Sequence, residues 1–208
     1  MVRVKICGIT RLEDGLAAAA AGADAIGLVF HPPSPRAIDP ERAADLVRRL
    51  PPFLGIVGLF VNRSRAEIEA ITRQCRLDMI QLHGDETPAD CADLPVRVIK
   101  AVRVSTAADL AGLERYPAQG LLLDARSPSG VYGGGGHRFD WSLLADYRCP
   151  APLILAGGLD PDTVAQAVAR VRPYAVDVST GVEAAKGIKD PLRMQRFVAQ
   201  ARLWNRTA

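Results

Sequence analysis

Aromatic residues make up only 5% of the 208-residue chain, and there are just four cysteines. So few aromatics leave little from which to build a platform for stacked bases. Cys7, Cys75, Cys91 and Cys149 never form a CxxC pair. That spacing suits neither a zinc site nor a disulfide scaffold, and points to reduced thiols in the cytoplasm. No apolar run approaches the roughly 18 residues of a membrane span. Met1-Val2-Arg3-Val4-Lys5 has no apolar stretch of signal-peptide length. Charge of one sign is not in large excess either: 26 Lys and Arg stand against 23 Asp and Glu, for a net +3. The cations are scattered, so no basic stripe speaks for nucleic acid. His31, His83 and His137 lack metal-ligand spacing, so no metal is expected. These absences describe a soluble globular protein with no nucleic-acid or membrane partner.

What the chain does contain is alternation. Short β-rich runs are expected as strands over 2–7, 25–30, 55–61, 78–82, 96–102, 120–124, 152–156 and 174–178. Between them lie Ala/Leu/Arg/Glu-rich segments, expected as helices over 12–21, 40–50, 65–74, 107–113, 161–171 and 191–202. Shorter helical pieces are expected after Thr87 and Asp140. Thr10-Arg11-Leu12-Glu13 reads as a capping box. Asp39-Pro40, Asp160-Pro161 and Asp190-Pro191 each place an N-cap acceptor before a proline at the first helical position.

Eight strand–helix units with no linker between them allow a closed (βα)₈ barrel or an open doubly wound sheet. An open sheet would usually carry a glycine-rich turn after its first strand. Here that strand ends in Cys7-Gly8-Ile9-Thr10, which is no dinucleotide fingerprint. The expected fold is therefore an α/β (βα)₈ TIM barrel, a single domain over 1–208.

In such a barrel, chemistry belongs to the carboxyl ends of the strands. Those ends supply three groups. Cys7 and Asp124 form a candidate acid–base pair. The thiol lies near a helix start that could lower its pKa, and the carboxyl follows the apolar run Leu121-Leu122-Leu123, which could hold it protonated. The bland alternatives are a buried cysteine and a turn aspartate. Gly157-Gly158 after the seventh strand and Ser179-Thr180-Gly181 after the eighth form a candidate phosphate cradle, since small residues let backbone N–H groups approach an anion. Arg36, in the stiff loop Pro32-Pro33-Ser34-Pro35-Arg36, could hold a carboxylate bidentately. Gly133-Gly134-Gly135-Gly136 suits a lid. Strand parity puts Lys5 on the face of Cys7 and Asp177 on the face of Ser179, so Lys5 and Asp177 should pair beneath the site.

The ordered set Lys5-Ile6-Cys7-Gly8, Ser34-Pro35-Arg36, Gly58-Leu59-Phe60-Val61-Asn62, Gln81-Leu82-His83-Gly84, Leu122-Leu123-Asp124-Ala125, Leu155-Ala156-Gly157-Gly158 and Asp177-Val178-Ser179-Thr180-Gly181-Val182-Glu183 resembles phosphoribosylanthranilate isomerase along nearly the whole chain. The resemblance implies a (βα)₈ barrel that performs an Amadori rearrangement of a phosphosugar in tryptophan biosynthesis, with no metal or organic cofactor. It implies Cys7 as general base and Asp124 as general acid. Arg36 would hold the anthranilate end, with Gln81, His83 and Asp177 also binding substrate. Gly157, Gly158, Ser179, Thr180 and Gly181 would bind phosphate. The family's loop usually reads Gly-Gly-Thr-Gly, and this chain has Gly133-Gly134-Gly135-Gly136 in its place. A homodimer or a monomer is expected. The rivals are another phosphosugar barrel, such as the histidine-pathway isomerase or a pentose-phosphate epimerase, and a catalytically silent phosphate-binding barrel.

Overall fold

Ala25–Val29 is buried at every position, as a parallel strand must be when helices cover one face and packed side chains the other. The same holds along most of eight strands: β1 (Arg3–Cys7), β2 (Ala25–Val29), β3 (Gly55–Phe60), β4 (Met79–Leu82), β5 (Arg97–Val104), β6 (Gly120–Ala125), β7 (Leu153–Leu155) and β8 (Ala175–Val178). In the computed structural model, which describes residues 1–125, 140–144 and 147–203, these strands pair in parallel and in chain order into a closed barrel. β1 bonds to β2 on one side and to β8 on the other, with Lys5 directly opposite Asp177. Each expected strand is present to within two residues at either end.

Two packed zones hold this barrel. Ile6, Ile26, Leu28, Phe60 and Leu82 point outward into a continuous core shared with the helices, each such side chain contributing about 1.5–3 kcal/mol on burial. Ala25, Val57, Ile99, Leu122 and Ile154 fill the barrel interior. Above that layer, Cys7, Val29, Leu59 and Val61 form a small separate cluster toward the carboxyl ends.

Helices α1 (Leu12–Ala20), α2 (Pro40–Arg48), α3 (Arg65–Cys75), α4 (Pro88–Cys91), α5 (Val164–Val171) and α6 (Pro191–Ala201) lie among the described residues. Asp39 and Asp190 cap α2 and α6 as expected, each accepting two backbone N–H groups ahead of a proline. Other boundaries depart from expectation. The Thr10–Glu13 capping box does not form: the Thr10 hydroxyl donates to Gly187 O at 2.6 Å and α1 begins after an uncapped Arg11. Asp160 caps a tight turn, accepting from Asp162 N and Thr163 N, so α5 starts only at Val164. Capping boxes form elsewhere, Ser64 with Glu67 at the head of α3, Thr87 with Asp90 at the head of α4, and Thr106 with Asp109 before the turn at 107–110. In place of a helix over 107–113 there are two 3₁₀ turns, Ala107–Leu110 and Leu113–Arg115, separated by Gly112 at φ +76°. Past β8 a short antiparallel hairpin, β9 (Glu183–Ala185) with β10 (Ile188–Lys189), interrupts the run into α6. No described helix is long and apolar enough to cross a membrane. The expected lid lies outside the described residues.

Candidate active site

A cavity of about 260 Å³ opens at the carboxyl ends of the strands. Cys7 from β1 and Asp124 from β6 both line it, and only β7 and β8 stand between those strands on the shorter way round the barrel. A bound molecule would therefore meet the thiol and the carboxyl from different sides.

Gly27 faces Cys7 across β1 and β2, and a Cβ there would lie 2.8 Å from Cys7 Sγ. The glycine thus gives the thiol its room. Burial pushes the Cys7 pKa up, in part offset by the ammonium groups of Lys5 and Lys189. This corrects the expectation of a lowered thiol pKa: α1 begins only at Leu12, and desolvation outweighs the nearby cations. The expected pair beneath the site is present, with Lys5 Nζ 2.9 Å from Asp177 Oδ1 and both side chains buried. Asp177 also reaches the cavity wall.

Asp124 Oδ2 lies 3.4 Å from His83 Nε2, and His83 lines the cavity. Gln81 does not line it. It is fully buried, and its amide Nε2 sits 2.9 Å from His83 Nδ1. An amide nitrogen only donates, so His83 Nδ1 is the accepting atom of this contact. Gln81 contacts His83 and not the cavity, because its position on β4 falls one layer deeper.

The two glycine loops come together as one seat. Gly157 and Gly158 hold φ of +85° and +67°, a region costly for side chains. A Cβ on Gly157 would meet Ala125 N at 2.5 Å, and one on Gly181 would meet Leu159 O at 2.1 Å. Gly181 therefore nests against the loop that follows β7, bringing Gly157, Gly158, Ser179, Thr180 and Gly181 to the same cavity wall. Backbone N–H groups exposed in this way are suited to an anion.

Arg36 reaches the cavity by crossing Gly8, where a Cβ would stand 2.6 Å from Arg36 Cδ. It already holds a carboxylate: Nε and Nη2 donate to Glu183 at 2.7 and 2.8 Å. Glu183 in turn accepts from Lys189 Nζ at 2.9 Å. In the sequence Glu183 stands only inside the motif of the resemblance, with no role of its own, and Lys189 stands outside every motif. The available signal was electrostatic, since a guanidinium buried in a loop needs a counter-charge.

Residues 4–200 match the family model described as N-(5'-phosphoribosyl)anthranilate (PRA) isomerase. An N-(5'-phosphoribosyl)anthranilate isomerase of Magnetococcus marinus is 56% identical over 201 residues, 97% of this chain and 95% of that one. The crystal structure of the isomerase from Thermotoga maritima superposes with a TM-score of 0.91 at 45% identity, covering 97% of this chain and 99% of that one. A phosphoribosyl anthranilate isomerase in complex with reduced 1-(o-carboxyphenylamino)-1-deoxyribulose 5-phosphate gives a TM-score of 0.88 at 43% identity, over 97% and 99% of the two chains.

Proposed function

From a chain that belongs to the N-(5'-phosphoribosyl)anthranilate isomerase family, we propose that Cys7 acts as general base and Asp124 as general acid in one cavity. The reaction is the aldose–ketose isomerisation of N-(5'-phosphoribosyl)anthranilate in tryptophan biosynthesis. The observation that carries the residue assignment is the presence of both groups on the walls of a single cavity whose rim also holds the paired glycine loops.

The chemistry follows from that placement. Asp124 gives its proton to the furanose ring oxygen. The bond from that oxygen to C1 breaks, and the anilino nitrogen's lone pair forms the iminium. The Cys7 thiolate takes the C2 proton, whose bonding electrons form the C1–C2 double bond and neutralise the iminium to an enolamine. Loss of the enol proton and gain of a proton at C1 give the ketone. Solvent returns the Cys7 proton to Asp124, so the cycle closes without a redox partner. The glycine loops and Ser179-Thr180-Gly181 hold the phosphate, and Arg36 the anthranilate carboxylate. Asp177 keeps Lys5 in place beneath the thiol, and His83 flanks the acid.

For a thiol and a carboxyl with ordinary pKa values, about 8.5 and 3.9, the thiolate with carboxylic acid lies roughly 6 kcal/mol above the opposite arrangement. Lys5 and Lys189 supply positive potential where the thiolate forms. A small reactive fraction still sustains turnover, because a barrier raised by that amount can remain below the uncatalysed one.

The four thiols are free in the described structure, in keeping with action in the cytoplasm. One solved neighbour is described as monomers generated from a dimeric isomerase, and for this chain an assembly no larger than a homodimer is proposed. The deciding experiment follows the fluorescence of N-(5'-phosphoribosyl)anthranilate with wild-type protein, alongside an assay with the histidine-pathway phosphosugar. Turnover of the first is expected. Turnover of the second alone, or of neither, would overturn the assignment.

A further inference from the structure

The hairpin β9–β10 contributes two buried charges, of which the mechanism above uses only Lys189, as positive potential near the thiol. Glu183 and Lys189 are both buried, and with Arg36 they form a cluster of two cations around one carboxylate. The cluster is tied down from several directions. Lys189 Nζ also donates to Ser179 O at 3.1 Å, Gly187 N approaches Glu183 Oε1 at 3.3 Å, and the Thr10 hydroxyl holds Gly187 O. A Cβ on Gly187 would come within 3.2 Å of Pro35 O, so the hairpin turn presses on the loop that carries Arg36.

The geometry of the guanidinium gives this cluster a consequence. Glu183 occupies the edge formed by Nε and Nη2. The other N–H groups of the guanidinium, on Nη1 and the second on Nη2, lie in the same plane. With Glu183 on the first edge and Thr180 Oγ1 accepting from Nη2 at 3.3 Å, the plane of Arg36 is fixed, and the Nη1 protons are those left for a carboxylate in the cavity that Arg36 lines. The cluster carries a net positive charge, so it retains attraction for an anion after Glu183 is counted.

We propose that Glu183, braced by Lys189, is a positioning residue that sets the preference of the site for an aromatic amine bearing a carboxylate, by holding the Arg36 guanidinium in the orientation that grips it. This rests on the assignment of Arg36 to the substrate carboxylate. Freed from Glu183, Arg36 keeps its charge but loses its fixed plane, and the gripping orientation becomes one conformer among several.

The test compares two substrates, N-(5'-phosphoribosyl)anthranilate and the analogue made from aniline, which lacks the carboxylate. Wild-type protein is expected to favour the first in kcat/KM. In Glu183→Gln that preference falls by about 10- to 100-fold, the scale of one hydrogen bond between charged groups, the loss arising in KM for the carboxylated substrate. Glu183→Asp, which keeps the charge, is expected to recover part of the preference, and it serves as the second variant if Gln impairs folding. An equal loss on both substrates would show a general structural role and overturn the proposal, as would an unchanged preference. If wild-type protein turned over neither substrate, the isomerase assignment itself would fail; a wild-type enzyme active on both without preference would remove only the role of Arg36 and Glu183.

Discussion

Lys5 Nζ lies 2.9 Å from Asp177 Oδ1 inside the barrel, on adjacent strands and directly in register. Each residue sits two positions before a cavity residue, Cys7 in one strand and Ser179 after the other. The pair therefore forms a neutral plank beneath the site, and the positive end lies close enough to the thiol to favour its ionised form.

Breaking that plank is expected to be costly. Lys5→Met should destabilise the fold by about 3–5 kcal/mol, because it leaves the Asp177 carboxylate buried and unpaired. Adding Asp177→Leu should restore a large part of the loss, as two apolar side chains replace the pair. Urea unfolding of both single variants and of the double measures this. A double variant as unstable as the sum of its parts would mean that packing, not charge pairing, governs the layer.

Asp124→Asn keeps the shape of the side chain and removes its carboxyl proton. Turnover should fall by about 10²- to 10⁴-fold, the usual range for a general acid, while binding of the reduced product analogue changes little. Near-normal kcat would remove Asp124 from the acid role and direct attention to His83, which lies 3.4 Å away.

Cys7→Ser should lower kcat by about 10²-fold or more, since a hydroxyl is a far weaker base than a thiol near neutral pH. The serine is slightly smaller and Gly27 leaves space beside it, so stability should hardly change. Thermal melting checks the second point, and an unaltered rate would show that another group takes the C2 proton.

Gly181→Ala places a Cβ 2.1 Å from Leu159 O, a backbone atom with no freedom to rotate aside. The two loops must separate, which predicts a rise in KM of about tenfold or more and a destabilisation of about 1–3 kcal/mol. Inorganic phosphate, titrated as a competitive inhibitor, should weaken in parallel. Undiminished inhibition by phosphate would place the anion seat elsewhere.

The barrel was legible because parallel strands buried on both faces read as apolar runs, and because Asp39-Pro40 and Asp190-Pro191 mark helix starts within a few residues of chain. Lys5 with Asp177 was legible too: strand parity puts each on the inner face, and a buried charge demands a partner. What escaped notice depended on contacts across the chain. Thr10 looks like a cap until the carbonyl of Gly187 claims its hydroxyl. Arg36 reads as free to bind a ligand carboxylate until Glu183, distant in sequence, takes one edge of it. The thiol shift went the wrong way because burial of Cys7, a tertiary property, exceeds any effect of a following helix. Gln81 on β4 points to the same side as His83 just past the strand's end, and only the layering of the barrel shows that it stops short of the cavity.

The raised pKa of Cys7 has a consequence for the pH profile whose sign depends on the protonation state that reacts. The productive pair carries one proton, on Asp124, with Cys7 ionised. The form with that proton on the thiol also carries one proton in all, so the two interconvert without any change as pH varies. Activity is lost when the pair gives up its last proton, because Asp124 then has none to donate; that step follows the higher pKa of the pair. Burial moves Cys7 upward, so kcat/KM should stay level through neutral pH and fall only above the ordinary thiol value of about 8.5. Lys189, whose pKa burial lowers, would lose its charge in the same direction. The residual activity of Cys7→Ser separates the two, since a hydroxyl does not titrate in that range: the alkaline fall should vanish in this variant. A fall that persists would assign the limb to Lys189, and a wild-type limb centred below pH 8 would mean that the cations around Cys7 outweigh its burial.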